Sequence, residues 1–339
     1  MDSPDPNKVR TRKTSFLLGF LFAGILLTVL EGGAYLLTPY FERGLPITSP
    51  QEDLTRIMRR GPDWFWALQP NMKGRVTEGI TDGTPTSYTV TTNDLGLRTP
   101  PIGPKGSRYR ILAIGDSTTF GQFVNDAETW PAQLQALLDP GAQRIEVINA
   151  GLAGASSLMG LSYLVNRGIQ LKPELVIATY GFNDWATGLF SDTERARRFL
   201  IPIGAAEQSF REAMVRKRGL DPMTRKRRAT PGEYLDRMVM LHEVAAQHGA
   251  ALMYVIWPCR TEPGGNAWQD PYGPLIIEAG RITGAPVIDL RTLLPNAPEN
   301  LYIDSIHANP AGCRAVAERV AAVLEDRLPA VPTSSPPPN

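Results

Sequence analysis

Histidine is scarce: His242, His248 and His307 are the only three in 339 residues, so chemistry that needs an imidazole must use one of them. Cysteine is scarcer still, with only Cys259 and Cys313. That pair excludes a C-x-x-C zinc cluster and a disulfide scaffold, and could form one bridge at most. No H-E-x-x-H motif occurs, which removes a common zinc-hydrolase arrangement. No metal or organic cofactor is expected. Excess charge of either sign is also missing, since 35 Lys and Arg face 34 Asp and Glu for a net of +1. A polyanion-binding chain carries a basic excess, so nucleic acid is not an expected partner. The 31 Gly and 30 Pro recur with no fixed period, which rules out collagen-like repeats. Against these absences stands a hydrophobic content of 42%, enough for a globular core and too much for wholesale disorder.

The N-terminus reads as a membrane segment. Lys8, Arg10, Arg12 and Lys13 precede an apolar run over 16–30, and Ala34-Tyr35-Leu36-Leu37 follows after Glu31-Gly32-Gly33. From Phe16 to Leu37 a helix would extend about 33 Å, enough for a hydrocarbon core of about 30 Å. The flanking cations predict residues 1–14 in the cytoplasm, a signal-anchor helix over 15–38, and everything later on the outer side. The alternative is a cleaved signal peptide and a secreted product. Residues 39–105 read as a linker and a small β-containing annex: 87–92 has the β-branched alternation of a strand, and Asn93-Asp94-Leu95-Gly96 its turn.

From Arg110 the pattern turns α/β. Apolar β-rich runs at 111–114, 145–148, 175–180, 252–257 and 287–290 alternate with helical stretches at 130–138, 158–171, 233–247, 274–282 and 310–328. This predicts a parallel sheet of about five strands with helices on both faces, and a ligand site at the carboxyl ends of the strands. A basic insert within 186–231 interrupts the alternation. Between Glu194 and Thr230 lie eleven Lys and Arg against four Asp and Glu, a local +7 in a chain of +1. It reads as a solvated excursion, or as a lid over the site that also meets an anionic surface. Residues 329–339 form a Pro/Ser-rich tail expected to be disordered.

Four strand ends carry candidate chemistry. The first closes on Gly115-Asp116-Ser117-Thr118, where a serine opening a helix is either an N-cap or a nucleophile. The second runs Asn149-Ala150-Gly151-Leu152-Ala153-Gly154, whose glycines serve tight turns or expose N–H donors. The third closes on Gly181-Phe182-Asn183-Asp184, with a side-chain amide at the same edge. The last is Asp304-Ser305-Ile306-His307, a spacing that can set a carboxylate against Nδ1 and leave Nε2 facing a serine. His242 reads instead as a half-buried helix residue, and His248 before Gly249 as a helix C-terminal cation.

Taken in order, G-D-S, the glycine loop, G-x-N-D and D-x-x-H resemble the SGNH hydrolase superfamily, the GDSL esterases and lipases. The likeness covers roughly 110–328 and departs at Thr118, where the family's name has Leu. It implies a flavodoxin-like three-layer α/β/α sandwich. By position, it also implies Ser117 as nucleophile, His307 as general base and acid, and Asp304 as the orienting carboxylate. The oxyanion hole would comprise Ser117 N–H, Gly154 N–H and the Asn183 amide. Gly154 is favoured over Gly151 because the family's glycine lies five residues after the Asn. Gly115, Asp116, Gly181 and Asp184 would be supports. Residues 91–98, Thr-Thr-Asn-Asp-Leu-Gly-Leu-Arg, resemble the lead-in of membrane-anchored bacterial members. The expected function is an extracytoplasmic serine esterase acting on an acylated carbohydrate or lipid. An O-acyltransferase of an envelope polysaccharide would use the same triad, and a non-catalytic carbohydrate-binding domain is the third reading.

Overall fold

The computed structural model describes residues 16, 18–26, 28–30, 33, 58–59, 66–79, 84–199, 225–258, 272–293, 301–325 and 327–328. The chain divides into two units, Thr48–Ala186 with Arg227–Asn339, and Met1–Ile47 with Thr187–Lys226. The expected cytoplasmic stretch 1–14, the tail 329–339 and Cys259 lie outside the described residues, as does most of the expected lid.

In the larger unit a short antiparallel pair, Met58–Arg59 with Ala67–Leu68, precedes the annex hairpin of β1 (Lys73–Gly79) and β2 (Pro85–Thr91), also in antiparallel register. Its inner face, Val76, Tyr88 and Val90, closes over Phe120 and Phe123. β2 lies where the sequence predicts a strand, but its partner β1 carries a buried Glu78 at an inward position and so breaks the apolar alternation. That carboxylate accepts from Tyr88 Oη at 2.7 Å and Gln122 Nε2 at 2.6 Å, which compensates its burial. The Asn93 side chain accepts from Leu95 N–H and Leu97 N–H, both at 3.0 Å, and Gly96 has φ +76°, so the expected turn forms.

The sheet follows: β3 (Tyr109–Gly115), β4 (Ile145–Gly151), β5 (Leu175–Thr179), β6 (Ala251–Ile256) and β7 (Val287–Asp289), all parallel. Their spatial order is β4-β3-β5-β6-β7, the flavodoxin-type arrangement. Period-two alternation sorts the side chains. Ile111, Ala113, Val147, Ile177 and Val255 pack with α2 (Trp130–Leu138) and α7 (Pro310–Leu324). Leu112, Ile114, Ile148, Val176 and Tyr254 pack with α3 (Ser157–Asn166), α5 (Pro231–Gln247) and α6 (Gly273–Thr283). The three-layer sandwich is therefore present, with both sheet faces covered.

Sequence supplies the helix starts. Thr230 and Glu233 form a capping box ahead of α5, and Asn309 caps α7 through Gly312 N–H at 2.9 Å with Pro310 following. The single helix expected over 158–171 is instead α3 followed by a 3₁₀ turn, Gly168–Leu171. Gly168 is the reason: a Cβ there would stand 3.1 Å from both Leu112 and Leu164, so the chain tightens against the sheet.

The smaller unit contributes helical residues 16, 18–26, 28–30 and 33. Nine large apolar side chains there, Phe16 to Leu30, are 48–69% exposed. Among the described residues no helix is long and apolar enough to cross a membrane, so the expected spanning helix over 15–38 is not borne out. Glu31, Gly32 and the residues after Gly33 up to 38 are not described.

Candidate active site

The strand order reverses at β3 and β5, the crevice where such sheets bind ligands; two of the four candidate segments begin there, and the glycine loop leaves the neighbouring β4. Ser117 is the first residue of the four-residue helix α1 (Ser117–Phe120), so its N–H has no acceptor within the helix. Asp116 caps that helix, its Oδ1 accepting from Thr118 N–H at 2.9 Å and Thr118 Oγ1 at 2.8 Å. Its other oxygen accepts from Asn183 Nδ2 at 3.3 Å, which ties the short helix α4 (Phe182–Trp185) to the serine turn. Burial pushes the Asp116 carboxyl above its ordinary value, against the hydrogen bonds from Thr118, the charge of His307 and the Asn183 amide.

Across from the serine lies the last loop. His307 Nε2 is 2.8 Å from Ser117 Oγ, and Nδ1 is 2.7 Å from Asp304 Oδ2. Asp304 Oδ1 accepts from Ile306 N–H at 2.9 Å and His307 N–H at 2.7 Å, so the carboxylate is held at both oxygens. Burial pushes Asp304 up, but hydrogen bonds from His307 and Ile306 and the imidazole charge outweigh it and leave the carboxyl below its usual value. The loop itself is braced by Ile303 N–H to His307 O at 2.8 Å and by Trp257 Nε1 to Ile306 O at 2.9 Å. The imidazole and the Phe123 ring meet in a T-shaped pair, with centroids 5.1 Å apart.

The glycine loop after β4 packs on the same helix. Leu152 N–H donates to Gly115 O at 3.0 Å. A Cβ on Gly151 would stand 2.2 Å from Phe120 N, and one on Gly115 would stand 2.1 Å from Thr119 Oγ1. Both glycines therefore permit close approach rather than unusual torsions, Gly151 to the Phe120 backbone and Gly115 to the Thr119 side chain and the Thr179 carbonyl. Gly154 has φ +75° and Gly181 φ +143°, values that favour glycine. Asp184 is fully buried and accepts from Ser157 N–H and from Ser157 Oγ at 2.6 Å. It supports the start of α3. His242 is half-buried in α5, and His248 at its C-terminus bonds Val244 O at 2.8 Å, as their spacing predicts. Cys313 is a free, buried thiol whose pKa burial pushes up to about 12, and its pairing with Cys259 falls outside the described residues.

Three further residues brace the site that the four motifs do not contain. Arg98 is buried with its guanidinium bonded to Thr89 O, Phe120 O, Gly121 O, Val124 O and Asp126 Oδ1, at 2.6–2.9 Å. It holds the turn that leaves α1 and carries Phe123. The signal was present in the 91–98 segment, where Asn93 and Gly96 make the turn that aims Arg98 inward. Trp66 donates from Nε1 to Ala153 O at 3.0 Å, and Arg228 donates to Gly154 O at 2.7 Å. No spacing rule connects those two to the glycine loop. A cavity of about 90 Å³ opens between annex and sheet, lined by Trp66, Leu68, Gly115, Gly151, Met159 and Tyr180 among others.

Likeness to known proteins follows the same segment of chain. An acetylxylan esterase of Xylanibacter ruminicola is 24% identical over 247 residues, 68% of this chain and 46% of its own length. An arylesterase of Vibrio mimicus is 35% identical over 80 residues, 23% of this chain and 40% of its own length. The matches thus span less than half of each of these relatives. Among solved structures, TesA aligns with a TM-score of 0.46 at 18% identity, covering 65% of this chain and 99% of its own. The model of the GDSL-like lipase/acylhydrolase family matches residues 113–315, from within β3 to the first turns of α7, and with more than half its length matched this chain belongs to that family.

Proposed function

We propose that the chain is a serine esterase that cleaves an ester through an acyl-enzyme on Ser117. The continuous Asp304–His307–Ser117 hydrogen-bond chain, 2.7 Å and then 2.8 Å, is the observation that carries this reading. In it, His307 Nε2 takes the Ser117 proton as Oγ attacks the carbonyl carbon. Asp304 holds Nδ1–H and offsets the imidazolium charge. Negative charge moves onto the carbonyl oxygen, where Ser117 N–H, Gly154 N–H and the second Nδ2 hydrogen of Asn183 receive it. His307 then passes its proton to the departing alkoxide. In the second half-reaction water attacks, its proton goes to His307, and the acid leaves with Ser117 restored.

The substrate class we propose is a short acyl ester on a carbohydrate, such as an O-acetyl group. The acetylxylan esterase likeness supports it, since that alignment runs over 68% of this chain. The exposed apolar side chains of the N-terminal helix and the cations before it support a membrane anchor with the catalytic unit outside the cytoplasm. Acetate release from acetylated xylo-oligosaccharides, compared with p-nitrophenyl esters of graded length, tests the reading. Hydrolysis by the wild type that is lost in Ser117→Ala supports it. Acetyl transfer to added saccharide without net acetate release would make the enzyme a transferase instead.

A further inference from the structure

We infer that Trp66, an annex residue outside the family-matched segment, is a positioning residue that selects which way the oxyanion-hole peptide of Gly154 faces. The inference rests on the esterase reading above and on one piece of backbone geometry. Residues Leu152-Ala153-Gly154-Ala155 form a turn closed by Ala155 N–H to Leu152 O at 3.0 Å, and the third residue, Gly154, has φ +75°. That is the torsion a type II turn requires. Type I and type II turns differ by a flip of their central peptide, here Ala153 C=O with Gly154 N–H. Glycine at the third position tolerates both signs of φ, so the loop's own sequence does not choose between them.

Trp66 chooses. Its indole Nε1 donates to Ala153 O at 3.0 Å. A trans peptide is planar, with C=O and N–H pointing in opposite directions, so a carbonyl fixed towards Trp66 fixes the Gly154 N–H away from it. The flipped state would present a carbonyl where the N–H now points, replacing a donor to the oxyanion by a repelling acceptor. Two neighbours reinforce the choice. The indole Cζ2 lies 3.2 Å from where a Gly154 Cβ would be, so the ring covers that side of the loop. Arg228 Nη1 pins the next carbonyl, Gly154 O, at 2.7 Å, while its guanidinium sits 5.9 Å from the indole centroid. A hydrogen bond to Ala153 O also polarises that amide and makes its N–H a better donor.

The cleanest test replaces Trp66 in the full chain by 3-benzothienylalanine, which keeps the bicyclic shape and removes only the N–H, with Trp66→Phe alongside. The inference expects kcat on p-nitrophenyl acetate to fall about tenfold, less than the roughly 10²–10³ lost when an oxyanion donor is removed outright. KM should stay within about twofold and the melting temperature should not move for the benzothienyl variant. A benzothienyl enzyme with wild-type kcat would overturn the inference. So would a rise in KM at constant kcat, which would make Trp66 only a wall of the adjoining cavity. A wild type that hydrolyses no ester would instead sink the esterase reading itself.

Discussion

Arg98 directs all its guanidinium hydrogen bonds into the protein, four of them to backbone carbonyls. Burial drives its pKa below the ordinary arginine value, against the attraction of Asp126, yet the cation is retained because it satisfies carbonyls that would otherwise be buried unpaired. Arg98→Met should therefore cost about 3 kcal/mol in denaturant unfolding, and Arg98→Lys should recover only part, since one ammonium cannot span the same fork. Asp116 makes a second test. Asp116→Asn keeps an oxygen to cap Thr118 but turns the other atom into a donor facing the Asn183 amide. We expect kcat to fall with KM little changed as Asn183 is pushed off its position. Removal of the amide in Asn183→Ala should lower kcat by about 10²–10³. The third test is acid stability. Asp304 is held below the usual carboxylate value in the folded state, so the stability it contributes is fully present above the unfolded value of about 3.9. It is lost as pH falls through the lower, folded value. Denaturation midpoints measured from pH 5 downwards should drop less steeply for Asp304→Asn than for wild type.

Strand ends were the most legible elements. A parallel strand with both faces covered is apolar over most of its length, so β3, β4, β5 and β6 announce themselves as runs despite Arg110, Glu146 and Asn149, and the polar residues just past them stand out. Ser117, Asn183 and the Asp304–His307 pair were legible for that reason, and the structure brings all of them to one edge of the sheet. What the sequence hid was tertiary compensation. Glu78 is tolerable inside β1 only because Tyr88 and Gln122 reach it, and neither pairing is visible in a local pattern. The 3₁₀ break after α3 depends on how near Gly168 comes to Leu112, again a non-local fact. Glycine shows the same contrast. Gly151→Ala would set a Cβ 2.2 Å from Phe120 N and push α1 off β4, so both the melting temperature and kcat should fall. A methyl added at Gly232 would meet nothing within 4 Å, and Gly232→Ala in α5 should raise stability by up to about 1 kcal/mol with activity unchanged.

At the scale of the molecule, the flavodoxin-type order explains why residues 190 positions apart in the chain meet: β3 lies inside the sheet between β4 and β5, and the last loop returns beside it. The annex is built on this arrangement rather than apart from it, since its inner face shares Phe120 and Phe123 with the serine turn. If the N-terminal helix is the anchor proposed, removing residues 1–38 should shift the protein from the membrane fraction to the soluble one and leave kcat on a soluble ester unchanged. The central claim, an acyl-enzyme on Ser117, is most directly tested by covalent labelling with a fluorophosphonate followed by peptide mass mapping. The account predicts a single adduct on Ser117, loss of turnover in step with labelling, and much slower labelling in His307→Ala. An adduct on another residue, or full turnover by an enzyme stoichiometrically labelled at Ser117, would contradict it.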